Sequence, residues 1–125
     1  MPAYDRGYDP PAPVVDVVVA HPITGARQDG LQGKLDTGAD ITVIPEALVM
    51  QLGLHPKGRA WTRGFDNTYS HRPIYYVRLE LEELTVASAR CVATDRRTVL
   101  LGRNVLNRFI ITLNGPELTL TMRVP

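Results

Sequence analysis

Polar and apolar positions alternate with a period of two along much of this chain, the pattern of strands that bury one face and wet the other. The clearest case begins at Tyr75. Tyr75, Val77, Leu79 and Leu81 fall on one face, and Tyr76, Arg78 and Glu80 on the other. Glu82-Glu83 then makes a tight turn, and Leu84 to Ala93 returns as a second strand. Val14 to Ala20 is a β-branched run broken by Asp16, again a strand. Leu31, Gly33 and Leu35 alternate with Gln32 and Lys34, a strand that delivers Asp36 to a loop. Ile41 to Ile44 and Thr98 to Leu101 are short, mainly apolar strands. Ile110 to Leu113 and Leu118 to Met122, joined by Asn114-Gly115-Pro116, predict a terminal hairpin.

Two places depart from this period. Pro45 suits the first position of a short helix, with Leu48 and Leu52 four apart and Gly53 placed to end it. Val105, Leu106 and Phe109 mark a second brief helix after Gly102. Residues 59 to 73 carry Trp61, Gly64, Phe65, Asp66, Asn67 and Tyr69, and the Asp66-Asn67 turn signal predicts a projecting hairpin. The first thirteen residues, with Pro2, Gly7, Pro10, Pro11 and Pro13, predict an extended arm (1–13) ahead of one domain (14–125). Short strands with two brief helices predict a mainly β domain.

Composition narrows the class. A chain of 125 residues is one domain by length and can bury roughly two thirds of its unfolded surface. Lys+Arg 14 against Asp+Glu 13 leaves a net charge of +1, so neither nucleic acid nor an anionic membrane is expected as a partner. No apolar run approaches the roughly 20 residues of a membrane span. Met1 to Arg6 lacks the basic-then-apolar pattern of a signal peptide, and Cys91 is the single cysteine, so the expected compartment is cytoplasmic. Cys91 itself fits a small core residue. His21, His55 and His71 do not sit at metal-ligand spacing, and no metal or cofactor is expected.

The candidate chemistry lies in two motifs. The first is Leu35-Asp36-Thr37-Gly38-Ala39-Asp40; the second is Val99-Leu100-Leu101-Gly102, followed by Arg103-Asn104. Together they resemble the retropepsin-like aspartic proteases, the single-lobe retroviral and cellular Asp-Thr-Gly family. The first matches that family's active-site loop. The second, extended to Val105-Leu106, matches its glycine loop and following helix, and Ile111-Thr112-Leu113-Asn114 is similar to the tail of retroviral members. The resemblance implies a closed-barrel-like acid protease fold, one lobe per chain, with one or two short helices and a flap hairpin. It implies that Asp36 is catalytic and that Thr37 and Gly38 shape its loop, Thr37 bracing the loop of a symmetric partner. The residues it implies at the substrate are Ala39, Asp40 and the flap residues Gly64, Phe65 and Asp66. Gly102, Arg103 and Asn104 are expected to support the site, Arg103 through an ion pair with Asp40. Lys34 stands where retroviral members are usually apolar, and the Pro-rich arm does not resemble their short terminal strand.

Peptide hydrolysis by carboxylates needs two of them, one ionised and one protonated. The ionised one takes a proton from the attacking water, and the other protonates the developing oxyanion and the leaving nitrogen. One triplet in a chain with room for one lobe predicts that the second carboxylate comes from a second copy, in a homodimer. The expected activity is aspartic endopeptidase action on polypeptide, with a bell-shaped pH profile in mildly acidic solution. Two other readings fit the same motifs: a non-catalytic dimeric peptide-binding or scaffold module, and a processing domain cut from a longer polyprotein.

Overall fold

The β-branched run near the start forms β1 (Val14–Ala20), which pairs antiparallel with β2 (Arg27–Leu35) on one side and β6 (Tyr75–Leu81) on the other. The computed structural model describes residues 2–63 and 67–125. From β6 the chain turns directly into β7 (Leu84–Thr94), with Leu81 facing Leu84. So tight a reversal requires positive φ, and Glu82 supplies it at φ 56. Its carboxylate also accepts the Asp16 N–H at 3.1 Å, which ties the turn to β1.

Two short strands close the cylinder. β3 (Thr42–Pro45) runs parallel to β7 and antiparallel to β8 (Val99–Leu101), and β8 runs parallel to β2. The order β1-β2-β8-β3-β7-β6 is a closed barrel, which leaves none of these strands with a free edge. Val15, Val17, Val19, Val77, Leu79, Leu81 and Leu101 fill the interior. Fully burying each such side chain contributes about 1.5–3 kcal/mol. Gly33 is needed here by contact: a Cβ would lie 2.4 Å from the Val17 side chain.

The helices are α1 (Ala47–Gln51) and α2 (Arg103–Leu106). Pro45 closes β3 instead of opening α1, because its carbonyl side continues the parallel ladder to Thr94; Glu46 is the N-cap. Gly53, at φ 68, ends the turn as expected. The alternation that marked Leu31 to Leu35 understated β2, which begins at Arg27. Its first residues are polar and mostly exposed, and so carry no apolar signal.

Three features lie outside the barrel. β4 (Arg59–Arg63) and β5 (Tyr69–Pro73) form the projecting hairpin, Arg63 facing Tyr69. β9 (Ile110–Asn114) and β10 (Thr119–Arg123) form the terminal hairpin. The Pro-rich arm is not simply extended: Asp5 and Ala12 exchange backbone hydrogen bonds, closing it into a loop. The Leu120 N–H donates to Pro2 O at 3.0 Å and the Tyr4 N–H to Leu118 O at 2.8 Å, so the arm flanks β10. Lys34 has its counterpart here, with Nζ 4.7 Å above the Tyr8 ring. Among the described residues, no helix is long and apolar enough to cross a membrane.

Candidate active site

Asp36 follows directly on β2, and its position is fixed by strand pairing. Its N–H donates to Leu101 O at 3.0 Å, which continues the parallel β2–β8 ladder one step beyond Leu35. The chain then doubles back, with the Ala39 N–H donating to Asp36 O at 3.2 Å. Inside this turn the Gly38 N–H donates to Asp36 Oδ1 at 2.9 Å. A Cβ at Gly38 would sit 3.1 Å from the same oxygen, so a side chain there would crowd the carboxylate. Asp36 is half-buried, whereas Thr37 is exposed, with no hydrogen-bond partner for its hydroxyl among the described residues.

The second motif backs the first. Gly102 is buried against β3: a Cβ would lie 2.6 Å from Ile41 C and 2.9 Å from Thr42 N, a space closed to any other residue. The Arg103 N–H donates to Ala39 O at 2.8 Å, and its guanidinium donates to Thr37 O at 2.7 Å. Arg103 therefore holds the loop through two carbonyls. The ion pair expected between Arg103 and Asp40 is not formed. Both salt bridges among the described residues use Arg27, with Asp29 and Glu80. The guanidinium donates instead to the Thr37 carbonyl, and Asp40 is exposed.

Asn104 and Thr42 complete the support. Asn104 donates through Nδ2 to Arg90 O at 2.7 Å and accepts the Thr42 hydroxyl at 2.9 Å. Thr42 Oγ1 in turn accepts the Gly102 N–H at 3.1 Å. Thr42 is wholly buried, and its one hydroxyl thus ties Gly102 and Asn104 of the second motif to β3. Sequence reasoning passed over it as one more strand residue. The available signal was a hydroxyl at the head of an otherwise apolar strand.

A cleft of about 720 Å³ lies between this loop and the β4–β5 hairpin. Asp36, Gly38, Ala39 and Asp40 line one wall; Thr62, Arg63, Ser70 and Arg72 of the hairpin line the other. Val43, Val92 and Leu100 give it an apolar lining. The structure thus brings Asp36, Ala39 and Asp40 to one cavity beneath the hairpin. The expectations for Gly64, Phe65 and Asp66 lie outside the described residues. Trp61 and Tyr69 stay exposed, and Trp61 stacks on His71 at 4.8 Å. The arginines of the cleft, Arg63, Arg72 and Arg96, were not anticipated, because nothing in their spacing sets them apart from surface arginines.

The fold recurs in known proteins. The sequence matches the family described as "gag-polyprotein putative aspartyl protease" over residues 28–108. No curated protein sequence matches the chain. A retropepsin-like aspartic protease from Rickettsia conorii aligns with a TM-score of 0.62 at 16% identity, covering 90% of this chain and 82% of that one. The EIAV protease solved with the inhibitor HBY-793 aligns at 0.57 and 21%, covering 77% and 86%. A foamy viral protease-reverse transcriptase in complex with an RNA/DNA hybrid aligns at 0.60 and 23%, covering 77% of this chain. The match spans only 12% of that longer protein. At these identities the likeness establishes the fold, a single retropepsin-like lobe.

Proposed function

Because the chain belongs to the gag-polyprotein aspartyl protease family, we propose that it is an aspartic endopeptidase whose active site forms between two copies of Asp36 in a homodimer. The observation that carries this reading is the Asp36 carboxylate itself. It is half-buried, faces a cleft beneath a hairpin, and occurs once per lobe. A water held between two such carboxylates loses a proton to the ionised one as it attacks the peptide carbonyl. The protonated one donates to the oxyanion and then to the leaving nitrogen. Gly38 donates its N–H to Oδ1 of Asp36 and leaves room for a second loop to approach.

Two features support the dimer. The Thr37 hydroxyl is exposed beside the carboxylate, available to a symmetric copy of the loop. Among the described residues β9 pairs only with β10 in the terminal sheet, and Ile110 and Leu113 are exposed along it at 39% and 52%, an edge open to further pairing. Substrate would lie extended across the two-fold axis, beneath both β4–β5 hairpins.

Digestion of a mixed peptide library with and without an active-site aspartic protease inhibitor tests the reading. Inhibitor-sensitive cutting across mildly acidic pH supports it. Peptide binding without cutting would assign the cleft to a non-catalytic module.

A further inference from the structure

Beside Asp36 and Asp40, the cleft is lined by three arginines that the proposed hydrolytic step does not use. Arg63, Arg72 and Arg96 all line it, and none forms an ion pair with a carboxylate of the described residues, where both ion pairs belong to Arg27. Two of these arginines are rooted at one place. Arg72 is half-buried and donates through one guanidinium nitrogen to Ala93 O at 3.1 Å. The Arg96 N–H donates to Thr94 Oγ1 at 3.3 Å, fixing its backbone beside the same end of β7. A guanidinium has five N–H donors, so one carbonyl leaves most of the Arg72 fork unspent. Arg72, half-buried, is the one of the three whose charge is partly desolvated, and a counter-charge would offset that cost. The apolar groups beside them, Val43 and Val92, suit the aliphatic stem of a side chain that ends in a carboxylate.

We propose that Arg72 and Arg96 form a seat for a carboxylate side chain, so that the protein selects polypeptides bearing Asp or Glu close to the bond in the cleft. This rests on the proteolytic reading above and names the substrate class of the same site. Arg63, on the facing hairpin strand, adds to the field. The carboxylate is taken bidentate by a guanidinium, a geometry an amide cannot match.

The test uses the full chain and extended decapeptides identical except for Glu or Gln at each position in turn. At one position the Glu peptide should be cut with a kcat/KM about tenfold or more above its Gln twin, the usual worth of a charge-assisted hydrogen bond. The preference should shrink as pH falls through about 4.3, where glutamate takes up its proton. Arg96→Gln, at an exposed side chain, should bring the ratio toward one. Arg72→Gln should do the same, and Arg72→Lys should restore part of it. Arg78→Gln removes an equal charge from outside the cleft and should leave the ratio intact. A wild-type ratio near one at every position overturns the proposal, as does a preference that survives loss of both arginines. Binding of the same peptides to the Asp36→Asn chain, read by fluorescence anisotropy, separates the two readings. A Glu preference in binding with no cutting by wild type refutes proteolysis alone; cutting or binding without preference refutes the seat.

Discussion

At Gly102 a missing side chain brings the two motifs together. The positions a Cβ would meet are the backbone of Ile41 and Thr42, which cannot swing aside. Gly102→Ala should therefore destabilise the fold by about 1–3 kcal/mol, the usual cost of forcing a methyl into a packed site. A urea unfolding series should show a lower midpoint, and an unchanged midpoint would mean that β3 gives way. Arg103 is the milder case. Its guanidinium is exposed and serves a carbonyl where an ion pair with Asp40 had been expected, so Arg103→Ala should cost only about 1 kcal/mol. A loss of 3–5 kcal/mol, the penalty for breaking a buried pair, would contradict that geometry. Cys91 takes no part in the site: burial pushes its thiol up to about 12, which keeps it neutral in the core.

Elements with two distinct faces were the easiest to infer from sequence. β6 shows the alternation in full, and the faces assigned to Tyr75, Val77, Leu79 and Leu81 are buried. Where an element takes its stability from a distant partner, the local pattern carries no trace of it. The first turn of β2 is polar, and the arm's docking depends on residues far along the chain. Asp5 shows this. Its carboxylate is held below the usual range first by the Gln32 side-chain amide and then by the Gly7 N–H. A depressed folded pKa means that Asp5 contributes stability above its unfolded value of 3.8, lost as pH falls through the lower folded value. The melting temperature of wild type should exceed that of Asp5→Asn near neutral pH, and the gap should close in strong acid. A gap independent of pH would show that the Gln32 contact does not anchor the arm.

For the molecule as a whole, the two motifs were legible because each combines rare constraints: a carboxylate, a hydroxyl and a glycine in succession in the first, and an apolar run closed by glycine in the second. The path between them was not legible. It runs through Arg103, whose N–H and guanidinium meet the Ala39 and Thr37 carbonyls, while the Thr42 hydroxyl of β3 holds Gly102 and Asn104 on either side of it. The cleft arginines were hidden for the same reason, since Arg72 and Arg96 lie 24 positions apart in sequence yet are anchored to the same end of β7. The proposed assembly rests on a simple shortage, one Asp36 carboxylate per lobe where the proposed chemistry uses two.

That shortage gives the most direct test. Wild-type and Asp36→Asn chains are mixed in varying proportion at fixed total concentration, allowed to exchange, and assayed on one peptide. If each site needs a carboxylate from both copies, activity follows the square of the wild-type fraction, falling to about a quarter at equal mixing. Activity that falls only in proportion to the wild-type fraction, or that persists in Asp36→Asn alone, would contradict a site shared between two chains.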